Sequence, residues 1–367
     1  MKIGILGVGK LGLCFALNLE RCGHEVLGID ISESYVQQLN QKTFQSHEPQ
    51  VNELLSLSKN FRASSHIADV LVNDYDLLFV MVATPSVPGG GYDHYQIERI
   101  TGALVNFGQR DKPIHLVIGC TVMPGYTAEL QKQLHDYNYI LSYNPEFIAQ
   151  GNIIEDQLYP DQVLIGEGNA EAGDMLETVY GTLCKSKPTI CRMDPLSAEI
   201  TKLATNCFLT TKISFANSIG DLATQAGADA EKILAAIGSD SRIGNKYLKY
   251  GFGFGGPCFP RDNRALNAYA ETQGNEMLIG KATDNVNRQH LQFQLSQILA
   301  KHKAEELIIF NEVSYKPGTV IIEESQQLAL AVAVAQAGRK VLVREKPLVI
   351  ELLKEKYGNL FAYEVLS

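Results

Sequence analysis

No stretch of this chain is apolar for long enough to cross a bilayer, which excludes a membrane-spanning helix as its organising feature. No CxxC pair occurs. The seven cysteines (14, 22, 120, 184, 191, 207 and 258) are scattered and odd in number, so neither a disulfide framework nor a zinc site is expected. The eight histidines show no HExxH spacing, and no metal is expected. Basic residues form no block: 32 Lys and Arg stand against 41 Asp and Glu, a net charge of -9, which argues against nucleic acid as a partner. The start, Met1-Lys2-Ile3-Gly4-Ile5-Leu6, runs straight into an apolar strand and leaves no room for a signal peptide. A cytoplasmic protein with no membrane partner is the expectation.

What is present is the composition of a globular α/β protein. Its 367 residues are 45% apolar and 20% charged, enough for two or three domains that each bury a core. Ile3 to Leu6 leads into Gly7-Val8-Gly9-Lys10-Leu11-Gly12 and then a helical pattern, and a second strand, Glu25 to Ile29, ends on Asp30. Such glycines allow a tight turn, close approach of a pyrophosphate and close helix packing, while an aspartate about 20 residues on bonds both ribose hydroxyls. A 2′-phosphate would be repelled there, so NAD is expected rather than NADP. Further strands at 76–82 and 115–119 end in Ala83-Thr84-Pro85-Ser86 and Cys120-Thr121-Val122-Met123-Pro124-Gly125, where the cofactor cleft of an open sheet lies. Taken singly, Thr84 and Thr121 read better as caps of the helices that follow.

After strand 139–143 comes Asn144-Pro145-Glu146-Phe147-Ile148-Ala149-Gln150-Gly151, which places Glu146 at the sheet edge as a proton-handling candidate or a plain exposed carboxylate. Asp194-Pro195 opens a long helix to about Gly227, with Lys202 and Asn206 four apart on one face. They are able to donate jointly to one oxyanion, or to sit solvated. Few strand signals occur from 195 to about 290, so a helical middle domain is expected, and long apolar helices of this kind pair across dimers.

Cys258 lies in Gly251-Phe252-Gly253-Phe254-Gly255-Gly256-Pro257-Cys258-Phe259-Pro260-Arg261-Asp262. A thiol hemmed in by glycines and prolines, with a guanidinium and a carboxylate close behind, is presented as a nucleophile would be. The competing reading is a small buried hydrophobe beside a turn.

Together these segments resemble the UDP-glucose/GDP-mannose dehydrogenase family, through GVGKLG, ATPS, CTVMPG, NPEF, YPDQVLIG, AEITKLATNCF, SRIGNKYL, GFGFGGPCFPRD and SYKPGT in chain order. The pattern is most similar to members acting on UDP-glucose. The resemblance implies a four-electron oxidation of a sugar C6 alcohol to a carboxylate with two NAD. Cys258 would form a thiohemiacetal and then a thioester, which water hydrolyses. It assigns oxyanion stabilisation to Lys202 and Asn206, proton handling to Asp262, and the hydrolytic water to Thr121 with Glu146. Cofactor contacts fall to Gly7, Gly9, Lys10, Leu11, Gly12, Asp30, Thr84, Pro85, Cys120, Thr121 and Arg261. Substrate contacts add Phe147, Ile148, Tyr247, Leu248, Lys249, Gly255 and Lys316, with Arg242 reaching a partner subunit's substrate, so a homodimer or higher homo-oligomer is implied.

Four features depart from the family pattern. Gln150 replaces a common glutamate, Arg261 a lysine, and Asn311 a glycine. The C-terminal domain is expected to stop after about one and a half βα units. The expected organisation is an NAD-binding Rossmann domain (1–190), a central helical dimerisation domain (191–290) and a shortened Rossmann-like nucleotide-sugar domain (291–367). Two rivals differ in stoichiometry: a β-hydroxyacid dehydrogenase would yield one NADH per substrate, and a nucleotide-sugar sensor none.

Overall fold

The computed structural model describes residues 1–366, which fall into two compact units, Met1–Lys202 and Leu203 onward. The first is built on eight strands: β1 (Lys2–Leu6), β2 (Glu25–Ile29), β3 (Phe61–Ser64), β4 (Leu77–Val80), β5 (Ile114–Ile118), β6 (Tyr139–Tyr143), β7 (Gln162–Gly166) and β8 (Thr189–Met193). They lie in the order β3-β2-β1-β4-β5-β6-β7-β8. All neighbours are parallel except β6 and β7, which meet antiparallel at Tyr143 and Gly166. Alternation along β4 shows why the sheet needs helices on both faces: Leu77 and Phe79 enter one core with Ile3 and Ile5, Leu78 and Val80 the other with Leu116 and Ile118. The strand order reverses between β1 and β4, and ligands of such sheets bind at the C-terminal strand ends beside that point. Strand β8 straddles residue 190, where the first domain was expected to end.

A single helix, Pro195–Ala226, begins in this unit and continues into the next. Asp194 caps it as the sequence suggests, its Oδ1 accepting from Ser197 N at 2.9 Å and its Oδ2 from Ser197 Oγ at 2.6 Å. In the second unit follow helices Ala230–Gly238, Phe259–Thr272 and Leu278–Lys301, then a parallel sheet of β9 (Leu307–Asn311), β10 (Lys340–Glu345) and β11 (Ala362–Val365) in the order β11-β10-β9. Helices Gln326–Gln336 and Pro347–Tyr357 connect the strands. From β9 onward the chain is therefore βαβαβ, more than the one and a half βα units expected. The short, largely exposed β11 carries too weak an apolar pattern to be read from sequence. The glycine-like backbone also falls one residue later than Asn311, at Glu312, whose φ is 54°. Among the described residues no helix is long and apolar enough to cross a membrane.

Candidate active site

The turn after β1 is shaped as a cradle. Gly7 has φ 101°, and a Cβ there would meet Met81 O at 2.7 Å; one on Gly12 would lie 2.0 Å from Gly7 O, so both positions demand glycine. Gly9 differs: a Cβ there would meet nothing within 4 Å. That open space at the start of helix Lys10–Arg21 faces backbone N–H groups and fits a pyrophosphate. Asp30 follows the end of β2, its Oδ1 accepting from Ser32 N at 3.0 Å. Tyr35 ties the cradle to the next helix by donating to Val8 O at 2.8 Å. The exposed Lys10 donates from Nζ to Gln150 Oε1 at 3.0 Å, while Leu11 packs on the core. At the next strand ends Thr84 is buried and its Oγ1 donates to Thr121 O at 2.7 Å, Pro85 is exposed, and Cys120 is buried. Thr84 thus joins two strand-end loops rather than capping a helix. These residues fit a dinucleotide.

Beyond β6, Glu146 is partly buried. Burial pushes its carboxyl up to about 7, against the Lys202 ammonium and the Tyr180 hydroxyl, which hold it down. Lys202 is buried, donates from Nζ to Glu146 O at 2.7 Å and stands 4.2 Å from the centre of the Phe147 ring. Ile148 packs on the neighbouring core. Tyr180 donates to Asn144 Oδ1 at 2.7 Å, and Asn144 Nδ2 to Leu164 O at 2.8 Å, so the Asn-Pro-Glu turn is anchored from behind. Glu199, wholly buried, accepts from Gly125 N at 2.5 Å and from Thr127 N and Oγ1 at 2.9 and 2.6 Å, which holds the loop carrying Thr121. Burial raises this carboxyl too, opposed by those hydrogen bonds.

In the second unit Cys258 is the exposed cysteine and the N-cap of helix Phe259–Thr272, its carbonyl accepting from Asp262 N at 2.8 Å. A helix start is where negative charge is favoured. From Gly253 onward its glycine segment is packed, although a Cβ on Gly251 would meet nothing within 4 Å: a Cβ on Gly253 would lie 2.1 Å from Asn287 Oδ1, on Gly255 2.2 Å from Glu324 O, and on Gly256 2.4 Å from the Tyr315 ring. Asn287 grips the chain from both sides, accepting from Phe254 N and donating to Phe254 O, each at 2.9 Å. Asn206 and Asp262, both buried, meet at 2.6 Å from Nδ2 to Oδ2, and Arg261 Nε stands 3.5 Å from Asp262 Oδ1. By contrast the Cys207 thiol, one residue after Asn206, is pushed up to about 12 by burial and by Asp262 and Asp284, which disfavour its thiolate.

Of the expected catalytic set, Thr121, Glu146 and Lys202 fall in the first unit and Asn206, Cys258 and Asp262 in the second; Lys202 and Asn206 lie one turn apart on one helix. Of the expected substrate residues, Tyr247, Lys249 and Lys316 are exposed, while Leu248 is buried against Ala216 and Leu234. Arg242 is exposed and folds back on Asp240, with Nη2 to Oδ2 at 2.7 Å. Sequence reasoning missed Tyr180, Glu199 and Asn287. Glu199 lies inside a quoted motif, but no spacing distinguishes it; the other two carry no local signal.

A dinucleotide cradle at the sheet's switch point, with a raised carboxyl just beyond β6 and the buried Lys202 of the long helix bonded to its backbone, is the arrangement of a dinucleotide-dependent oxidoreductase. Residues 1–184 match the NAD binding domain of the UDP-glucose/GDP-mannose dehydrogenase family and residues 196–289 its central domain. UDP-glucose 6-dehydrogenase AglM of Haloferax volcanii is 30% identical over 375 residues, covering 98% of this chain and 86% of the relative. UDP-glucose 6-dehydrogenase of Pseudomonas aeruginosa is 28% identical over 358 residues, covering 93% and 78%. A solved UDP-glucose dehydrogenase from Pyrobaculum islandicum superposes with a TM-score of 0.88 at 29% identity, over 99% of this chain and 85% of that one. The chain belongs to the UDP-glucose/GDP-mannose dehydrogenase family, and it is an NAD-dependent enzyme.

Proposed function

We propose that the protein oxidises UDP-glucose to UDP-glucuronate in two NAD-linked steps through a covalent intermediate on Cys258. The observation that carries this reading is the exposed thiol held at a helix start by a packed glycine segment. Two relatives named UDP-glucose 6-dehydrogenase, aligned over nearly the whole chain, support the choice of sugar. NAD supplies the hydride acceptor, one equivalent for each two-electron step. Lys202 and Asn206 stabilise the oxyanion that develops at C6, first on the alcohol and then on the thiohemiacetal. Cys258 adds its sulfur to the aldehyde carbon, holds the carbon as the second hydride leaves, and is released as a thiol when water cleaves the thioester. Glu146, once ionised, takes the proton of that water, Thr121 positions it, and Asp262 handles the thiol and alcohol protons.

The helical region is read as the dimerisation element. Phe208, Phe215 and Leu222 recur every seven residues along the long helix and are 65%, 48% and 61% exposed in one chain, a stripe suited to a second copy. Residues 1–190, 191–290 and 291–367 then serve as NAD, dimerisation and nucleotide-sugar domains, with Arg242 and Lys316 at the sugar nucleotide. Seven cysteines outside disulfides suit a reducing cytoplasm. The test is NADH yield with limiting UDP-glucose, alongside GDP-mannose and UDP-N-acetylmannosamine. Two NADH per UDP-glucose are expected, and Cys258→Ala should cut turnover by about 10⁴-fold or more. One NADH would overturn the thiol reading; two from another sugar would correct the substrate.

A further inference from the structure

Behind the thiol segment lies a buried histidine that this chemistry does not use. His290, 2% exposed, stands on helix Leu278–Lys301. Its Nε2 lies 2.6 Å from Gly251 O, and its Nδ1 lies 2.9 Å from each carboxylate oxygen of Asp221. Gly251 begins the segment that ends at Cys258. The same carbonyl accepts from Gln294 Nε2 at 3.1 Å, and Gly251 N donates to Asn217 Oδ1 at 3.1 Å. Tyr250 donates to Asp221 Oδ1 at 2.9 Å and sets its ring edge-on to His290, centroids 5.7 Å apart.

Both ring nitrogens face oxygen atoms. A backbone carbonyl only accepts, and so does an ionised carboxylate, whereas a neutral imidazole carries one N–H. Serving both neighbours requires both ring protons. The titratable groups facing the ring are Asp221 from the long helix and Tyr250 from the loop; Gln294, one turn along its own helix, is uncharged. Burial holds the Tyr250 phenol above its ordinary range, so it remains a neutral donor to Asp221.

We propose that His290 is a positioning residue for Cys258: as an imidazolium paired with Asp221 it pins the Gly251 carbonyl, and loss of one proton releases the base of the loop. Its effect on turnover rests on Cys258 being the nucleophile, but its effect on the loop does not. The proton count also distinguishes two variants. In Asp221→Asn the new side-chain amide donates to Nδ1 of a neutral ring whose Nε2–H still reaches Gly251, so the contact persists without charge. His290→Gln has no way to span both partners.

The test follows alkylation of Cys258 by iodoacetamide, read by peptide mass spectrometry from about pH 6 to about pH 9, together with kcat and the KM for NAD. Taking the ratio of wild type to Asp221→Asn at each pH cancels the thiol's own titration. Equal rates are expected at the acid end and a divergence of about threefold or more at the alkaline end, with wild-type kcat falling relative to Asp221→Asn. His290→Gln should lose about tenfold in kcat at every pH with an unchanged KM for NAD. A flat wild-type to Asp221→Asn ratio, or a kcat loss in Asp221→Asn as large as in His290→Gln at every pH, would overturn the proposal. If His290→Gln does not fold, the Asp221→Asn comparison decides alone. Turnover retained in Cys258→Ala would instead sink the thiol reading, and the alkylation ratio would still judge His290.

Discussion

The chain has two glycine-rich segments, and their surroundings are opposite. At the turn after β1, Gly7 and Gly12 are crowded by backbone while Gly9 opens on empty space. Before Cys258, Gly253, Gly255 and Gly256 are each filled against Asn287, Glu324 and Tyr315. The first arrangement leaves room for something to be bound; the second removes freedom so that the next side chain is held still. Glycine content alone says neither, because the same missing Cβ serves access in one place and close packing in the other.

If the packed segment presents sulfur to a carbonyl carbon, the ammonium expected beside that carbon should matter most after the sulfur itself. Lys202→Ala is expected to lower kcat by about 10³-fold while leaving NAD affinity within a few-fold, measured by steady-state kinetics and by cofactor titration. A loss confined to NAD affinity would move Lys202 to the open cradle's side of the comparison.

Next comes the step that frees the sulfur. Glu146 is protonated below about 7 and ionised above, because burial disfavours its charge. A carboxylate that takes water's proton must be ionised, so thioester hydrolysis should rise with pH through about 7. Glu146→Gln should slow hydrolysis by about 10²-fold and abolish that rise in single-turnover measurements. The same raised carboxyl favours the folded state while protonated. That contribution is complete below the ordinary value of 4.5 and lost as pH climbs through about 7, so the glutamine variant should gain relative stability on the alkaline side.

The glycines themselves give the two smallest effects and the sharpest contrast. Gly255→Ala places a methyl 2.2 Å from Glu324 O, so it should lower the unfolding free energy by about 1–3 kcal/mol and kcat by about tenfold, at unchanged NAD affinity. Gly9→Ala meets no protein atom and should leave denaturation midpoints unchanged, yet raise the KM for NAD severalfold by occupying the phosphate space. Reversed outcomes would erase the distinction between the segments.

Much of the first unit was legible because its signals are local. Strands β1, β2, β5 and β6 and their glycine turn are short apolar runs ended by polar residues, and Asp30, Glu146 and Thr121 stand at their C-terminal ends. Strands β3, β7, β8, β10 and β11 were not read; β3 and β11 are only four residues long, and β11 is largely exposed. Asp194-Pro195 announced the long helix, and its apolar stripe announced a face. Nothing local announced that Glu199 would hold a loop 74 residues earlier, or that Asn287 would grip a backbone 33 residues before it.

By itself the sequence determined the dinucleotide turn, the use of NAD, the position of the thiol within its glycines, and the family. These depend on backbone permissions and on spacing within one element, which neighbouring residues carry. Only the tertiary structure decided which glycines are open and which are filled, that burial lifts Glu146 to about 7, and that His290 bridges Asp221 and Gly251. Desolvation and close packing are set by atoms distant in the chain, and no local pattern of residues records them.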